Sequence, residues 1–247
     1  MVAKQRLDNL LVERGLASSR TKAQALIMAG EVVVGGSNNI KPGALVALGV
    51  EITVKEPPPF VGRGGIKLDH ALNEFQIDVS SKIAADIGAS TGGFTDCLLK
   101  RGASQVYAVD VGYGQLSLNL RRDPRVVVME RVNARYPVQI DERIDLATVD
   151  LSFISVEKVL PAVADLVKEE GCIIVLLKPQ FEAKRQEVGK RGIIRNPLLH
   201  ARILGRFISW AAEHGFRLNG LVSSPILGAS GNREFFILLR NSRKNAH

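Results

Sequence analysis

From residue 64 onward the chain alternates short, wholly apolar runs with amphipathic stretches, and four of those runs carry a charged residue at their carboxyl end: Asp86, Asp110, Asp150 and Lys178. A strand without a polar face has to be buried on both sides, so such runs belong in a parallel sheet with helices packed on each face. The same pattern locates a site, because ligands of open α/β sheets lie in the crevice beyond the carboxyl ends of the strands. The periodicity predicts strands over Ile83–Ile87, Val106–Asp110, Val126–Met129, Leu146–Asp150 and Cys172–Lys178, with closing strands near Arg217–Val222 and Glu234–Leu239. It predicts helices over Ile66–Phe75, Phe94–Lys100, Gln115–Leu120, Val156–Val167 and Leu198–His214.

The first of these strands runs into Asp86-Ile-Gly-Ala-Ser-Thr-Gly-Gly-Phe94, a glycine-rich turn that opens a helix. Glycines let the backbone approach a ligand, and the N–H groups and dipole of a helix N-terminus favour polar ligand groups. Asp110, closing the second strand, is placed to hold ribose hydroxyls. A dinucleotide site would read Gly-x-Gly-x-x-Gly, whereas here the third position is Ser90 and the later glycines are Gly92-Gly93. A loop with an acid ahead of its first glycine resembles that of methyltransferases, in which the amino-acid end of S-adenosylmethionine lies over the turn. On that resemblance Asp86 would suit the cofactor's ammonium group. Gly88, Ala89, Ser90, Thr91, Gly92, Gly93, Phe94, Asp110 and Val111 would form the cradle. An ordinary strand-turn-helix that needs glycine only for geometry is the competing reading.

Residues 1–55 read as a separate unit. Leu7, Leu10 and Leu11 have helical spacing with Gly15 at the C-terminal end, and Ser18-Ser19 starts a second helix through Met28. Short strands are expected over Glu31–Val34 and Glu51–Val54, with a turn at Lys41-Pro42-Gly43. Lys55-Glu56-Pro57-Pro58-Pro59 reads as a stiff linker, which sets domains at 1–55 and 64–247 with 56–63 between them. The string Arg6-Leu-Asp-Asn-Leu-Leu, Gly15-Leu16, Ser19-Arg20, Ala23, Leu26-Ile27, Gly30, Val32, Val34 and Lys41-Pro42-Gly43 resembles the S-four RNA-binding domain of ribosomal proteins. Gly35-Gly36 stands where that domain usually has asparagine-glycine, a change that still permits a tight turn. The unit carries seven basic residues against four acids, and Lys4, Arg6, Arg20 and Lys22 are the candidates for phosphate contacts.

Four polar residues of the larger unit stand out: Lys67 in its first helix, pointing off the face made by Leu68, Ala71, Leu72 and Phe75; Asp150; Lys178; and Glu234 at the last strand. Each alone has a bland reading, as a strand-end cap or a lysine reaching solvent. Together they resemble the Lys–Asp–Lys–Glu tetrad of FtsJ-type ribose methyltransferases. With Lys178-Pro-Gln-Phe-Glu182, Val188-Gly-Lys190, Gly192-Ile-Ile-Arg195 and His200, and with the S-four unit in front, residues 5 to 240 resemble the TlyA family, often labelled hemolysins.

The TlyA resemblance implies an α/β, Rossmann-like methyltransferase domain behind a small α+β RNA-binding domain. The implied reaction is S-adenosylmethionine-dependent 2′-O-methylation of cytidine in ribosomal RNA. It implies Lys178 as base or alkoxide stabiliser, Asp150 orienting it, Lys67 and Glu234 positioning the ribose, and Asn133 near the adenine ring. A basic segment with Lys184, Arg185, Lys190, Arg191 and Arg195 follows Lys178 and is expected to be a mobile phosphate-binding loop.

A net charge of +8 over 247 residues agrees with a polyanionic partner. Two cysteines, Cys97 and Cys172, read as core residues, and no metal-ligand spacing appears. Without an apolar segment of spanning length or a signal peptide, the expectation is a cytoplasmic protein bound to ribosomal subunits, with no membrane and no obligate protein partner. Scattered phenylalanines read as core, and the lone His200 and His214 receive no catalytic role. The short start before the first helix resembles the subgroup acting on large-subunit rRNA. A non-catalytic RNA-binding factor and, less in keeping with the residues, a hemolysin are the alternatives.

Overall fold

A computed structural model describes residues 3–55, 58–189 and 192–241. Glu56 and Pro57 of the expected linker, Lys190, Arg191 and the Arg185 side chain lie outside the described residues. The chain divides into two compact units, 1–58 and 59–247.

In the first unit β1 (Lys4–Arg6) leads directly into α1 (Leu7–Glu13), followed by α2 (Arg20–Met28), β2 (Val32–Val34), β3 (Leu45–Ala47) and β4 (Ile52–Val54). The strands pair antiparallel as β1 with β3 and β2 with β4. β1 and β3 escape the sequence pattern because each is three residues long with no fully buried position. Ser19 caps α2 by accepting from the Lys22 amide at 3.2 Å. Gly35 and Gly36 both take positive φ, 54° and 85°, the conformation a two-residue hairpin turn demands. Leu7, Leu10, Leu11, Ala23, Ile27, Val32 and Val34 form the core.

Asp8 lies fully buried beside that core. Its carboxylate accepts from Arg6 Nε and Nη2 at 3.1 and 2.9 Å, from Arg20 Nε at 3.0 Å and from Gln24 Nε2 at 2.9 Å. These donors, Arg6 above all, hold the Asp8 carboxyl well below the usual carboxylate range against the opposing effect of burial. Two of the expected phosphate contacts are therefore anchored internally, while their side chains stay 43% and 55% exposed.

The second unit opens with α3 (Arg63–Glu74) and β5 (Ile83–Ile87), then α4 (Gly93–Lys100), β6 (Gln105–Asp110), α5 (Leu118–Arg121), β7 (Val126–Glu130) and β8 (Ile144–Val149). It closes with α6 (Leu160–Leu166), β9 (Val167–Leu177), α7 (Pro179–Glu182), α8 (Pro197–Glu213), β10 (Phe216–Ser223) and β11 (Phe235–Asn241). The seven strands run β10-β11-β9-β8-β5-β6-β7. The five strands β5 to β9 are mutually parallel, but β11 lies antiparallel to β9 and β10 antiparallel to β11. The chain steps outward from β5 to β7 and then returns to β8 on the other side of β5, a reversal of strand order that opens a crevice.

The sheet is covered on both faces, as apolar strands require. α6 and α8 pack on one face with Ala85, Ile87, Val149, Val175 and Ile237. α3 and α4 pack on the other with Ala84, Ala108, Leu146, Leu176 and Phe236. Cys97 and Cys172 are buried free thiols. The expected helix over 156–167 is split: Val156–Lys158 is a single tight turn, and α6 begins at Leu160 with proline in its first turn.

Because Asp8 is held ionised, its stabilisation is present above the unfolded carboxyl pKa of about 4 and disappears as pH falls through the folded value. At neutral pH, Asp8→Ala should destabilise the first unit by about 3 kcal/mol, since two guanidinium groups and Gln24 lose their shared acceptor. Hydrogen exchange of the full chain should show this as faster exchange across residues 5–54 with 64–241 unchanged.

Candidate active site

The crevice at the strand reversal has a volume of about 480 Å³. Its walls come from the segments after β5, β6, β7 and β8 and include Gly88, Ser90, Asp110, Val111, Asn133 and Asp150. The glycine turn is pinned across these strands: the Gly88 and Ala89 amides both donate to Val109 O, at 2.8 and 3.1 Å, and the Asp150 amide donates to Ile87 O at 2.9 Å. Asp110 is oriented at both oxygens, accepting from Ser90 N and Gly112 N at 2.7 Å each. Its remaining lone pairs suit a diol. The Asn133 side chain accepts from the Arg135 amide at 3.1 Å. A fixed carboxylate, a side-chain amide and apolar walls from Val109, Val111, Leu151 and Ile154 form a donor set that fits a nucleoside.

Six residues expected at the cofactor do not line the crevice. Asp86 has no exposed surface. Ala84 and Asp86 share a face of β5 by strand alternation, and that face meets α4. Gly92, at the cap of α4, has no side chain to offer, and Asp86 takes over, accepting from Thr95 N at 2.9 Å and Thr95 Oγ1 at 2.7 Å. Asp86 thus braces the helix from a buried position behind the crevice walls. Burial, with the negative Asp150 adding to it, pushes its carboxyl up to about 7 despite these hydrogen bonds. A β-carbon at Gly93 would crowd the backbone of α3, and one at Gly92 would collide with Leu116 and Leu120. Ala89 and Phe94 are core, the latter against Phe236 at 6.1 Å. Thr91 is exposed outside the crevice, its carbonyl accepting from Ser117 N.

The tetrad forms two ion pairs. Lys178 Nζ lies 2.7 Å from Asp150 Oδ1 and donates to Ser152 Oγ at 2.9 Å. Lys67 Nζ meets Glu234 Oε2 at 2.5 Å with both side chains at most 10% exposed, so Lys67 is buried, contrary to its expected outward direction. The sheet brings three of the four together. β8 and β9 are neighbours, and the pairing of Phe235 with Leu177 puts Glu234 across from Lys178 at the next step. Asp150 belongs to both halves, lining the crevice and holding Lys178.

The turn after Asp150 was not legible as functional. Leu151, Ser152, Phe153 and Ile154 all line the crevice. Phe153 is 91% exposed at φ 65°, the opposite of a core phenylalanine, and packs its ring 5.1 Å from that of Phe181. An aromatic residue placed outside any periodic run was the signal available. Ser155, not Asp150, caps the following turn.

Among the basic candidates, Lys4 and Lys22 are exposed in the first unit, and Lys184 and Arg195 in the second. The described part of the basic segment is fastened in three places. Glu187 clasps Arg206 at 3.0 Å; Asn232 accepts from Ile194 N and donates to Gly192 O, each at 2.9 Å; and His200 Nε2 lies 3.1 Å from Ile194 O. The mobile loop expected here is thus tied down at Glu187, Gly192 and Ile194, which spends Arg206 on an internal contact.

A crevice at a strand reversal, bounded by a glycine turn and a fixed acid, is the nucleotide-type site of a Rossmann-like fold. The FtsJ-like methyltransferase family matches residues 60–241, and the S4 domain family matches residues 5–52. The chain belongs to the TlyA family, S4-domain-bearing FtsJ-like methyltransferases. It is 51% identical over 96% of its length to 85% of YqxC of Bacillus subtilis, provisionally named an rRNA methyltransferase. It is 45% identical over 100% of its length to 93% of TlyA of Mycobacterium tuberculosis, named a 16S/23S rRNA (cytidine-2′-O)-methyltransferase. A solved structure from Streptococcus thermophilus, provisionally named a hemolysin, aligns with a TM-score of 0.74 at 42% identity, covering 99% of this chain and 90% of that one.

A carboxyl raised in the folded state binds its proton more readily there than in the unfolded chain, where its pKa is about 4. Stability therefore falls as pH rises between about 4 and 7, where the native state holds more protons. Urea unfolding midpoints at pH 5 and pH 8 should show a smaller decrease for Asp86→Asn than for the wild type. Equal decreases would show that Asp86 is ionised throughout.

Proposed function

We propose that this chain transfers the methyl group of S-adenosylmethionine to the 2′-hydroxyl of a cytidine ribose in ribosomal RNA, acting on ribosomal subunits in the cytoplasm. The observation that carries this is Asp150, which borders the nucleoside-shaped crevice on one side and grips Lys178 on the other. S-adenosylmethionine, when bound, supplies an electrophilic methyl group on sulfur; Asp110 and Asn133 are the residues that would hold its ribose and base.

A ribose hydroxyl is a weak nucleophile at neutral pH, so the protein has to manage its proton and hold its oxygen in line. Lys178 does both. Asp150 and Ser152 occupy two directions around Nζ, and the third is left for the hydroxyl, whose proton Nζ removes or whose developing charge it offsets. The buried Lys67–Glu234 pair fixes the neighbouring strand end without presenting a net charge. Much of the acceleration is positional, because methyl transfer needs an aligned approach.

The basic balance of the chain and the half-exposed arginines of the first unit support RNA as the acceptor. Relatives named as acting on both subunits and on 23S rRNA alone support testing both subunits. One relative is named hemolysin A. Among the described residues, no helix is long and apolar enough to cross a membrane.

With labelled S-adenosylmethionine, the wild-type chain should label cytidine ribose in intact or partly assembled subunits. Lys178→Ala should lower the rate by about 10²- to 10⁴-fold. Absence of label in every subunit preparation would overturn the reading. Full activity of Lys178→Ala would remove Lys178 from its role while leaving the reaction class standing. Lys178→Arg keeps the charge but does not accept a proton, so residual activity there would favour charge stabilisation over proton removal.

A further inference from the structure

The turn after Asp150 and the turn after Lys178 run side by side and meet at three levels. Lys178 reaches Asp150 and Ser152; Phe181 packs on Phe153; and Glu182, four residues after Lys178, takes the far end. There Glu182 Oε2 accepts from Ser155 Oγ at 2.6 Å and Oε1 accepts from the Val156 amide at 2.8 Å. Burial pushes the Glu182 carboxyl above its ordinary value, and its neighbour Glu157 adds to this, while Ser155, the Val156 amide and Arg206 of α8 oppose it.

Between these fastenings sits Phe153 in the left-handed backbone region. A non-glycine residue held there costs on the order of 1–3 kcal/mol and persists only when its surroundings over-determine it. The near flank is determined by Lys178 through Asp150 and Ser152. The far flank is determined by Glu182 through Ser155 and Val156. Both come from one short stretch, Lys178 through α7, so the two catalytic side chains share a frame whose closing contact is Glu182.

We propose that Glu182 is a positioning residue for methyl transfer, latching the 150–156 turn so that Asp150 holds Lys178 in its working geometry. This rests on the reading of Lys178 and Asp150 given above. Glu182 touches no reacting atom. Its effect falls more on the rate of the chemical step than on cofactor affinity, because the polar holds at Ser90, Asp110 and Asn133 come from outside the turn, which gives the crevice apolar wall through Leu151 and Ile154.

The test uses the full chain with labelled S-adenosylmethionine, the ribosomal subunit that accepts label, and S-adenosylhomocysteine as the binding probe. Glu182→Ala should lower kcat by about 10- to 100-fold, the range of a modest misplacement at a reacting centre. KM for RNA should change by no more than about twofold, and the Kd of S-adenosylhomocysteine, which feels the turn only through its apolar wall, should change by a smaller factor than kcat. Hydrogen exchange at the Val156 amide should rise, a readout independent of turnover.

Glu182→Gln should recover most of kcat, since its carbonyl accepts from Val156 N and its amide donates to Ser155 Oγ. Ser155→Ala should lower kcat by less than Glu182→Ala, and the two should be non-additive because they share one contact. Should Glu182→Ala fail to fold, Glu182→Gln and Ser155→Ala decide. A wild-type kcat for Glu182→Ala or Ser155→Ala overturns the latch, as does Glu182→Gln being as impaired as Glu182→Ala. An inactive wild-type chain overturns the parent reading as well, so the two failures are distinct.

Discussion

The crevice depends on one close approach, that of Gly88 to the carbonyl of Asp150. Gly88 has φ 91°, and a β-carbon there would collide with the Asp150 carbonyl oxygen and crowd Leu151. With the Asp150 amide donating to Ile87 O and the Gly88 amide to Val109 O, the ends of β5, β6 and β8 are gathered into one knot. A side chain at Gly88 would force β8 away from β5, moving Asp150 relative to the cofactor wall and to Lys178 together. The glycine serves contact between protein segments more than contact with a ligand. The same holds for Gly92 and Gly93, which give α4 its fit against α5 and α3.

Charge inside this unit is organised in pairs. Removing two charges from water costs several kcal/mol per ion, and their attraction in the interior repays that only with good geometry, so a buried pair is weak evidence for stability. The Lys67–Glu234 pair is better explained by its address. It sits at the end of β11 next to Lys178, where an apolar pair would hold no polar substrate group. Asp86 solves a different problem, supplying the helix-capping oxygen that Gly92 lacks.

Much of the larger unit was legible because wholly apolar runs separated by helices leave few arrangements, and the charged strand ends mark one edge of the sheet. Asp150 and Lys178 were recognisable as types at those ends, with Lys67 on a helix and Glu234 before the last strand, but not as two pairs. Lys67 looked outward from helical spacing alone, whereas its burial follows from Glu234, 167 residues away. Asp86 illustrates the limit in the other direction. Its motif suggested a ligand contact, yet strand alternation sets it on the face shared with Ala84, and Thr95 on that side satisfies it. The antiparallel turn of β11 and the three-residue strands β1 and β3 carry too little pattern to be read without their partners.

Placing donor and acceptor chemistry on different strands resolves a conflict between two ligands. On the proposed reading, the cofactor takes the walled crevice whose fixed acceptors, Asp110 and Asn133, follow β6 and β7. The nucleotide would approach from the side of β8, β9 and β11, where Lys178 offers a cation. Asp150 and Ser152, at the end of the strand just across the reversal of chain order, border the crevice and contact Lys178. In the proposed function the basic S4 unit would add hold on RNA through Arg6 and Arg20, whose common tether to Asp8 fixes their direction without hiding them. Affinity for the polyanion and reactivity at one hydroxyl are thereby assigned to separate units, so that strong, sequence-indifferent phosphate binding does not require a charged cofactor crevice.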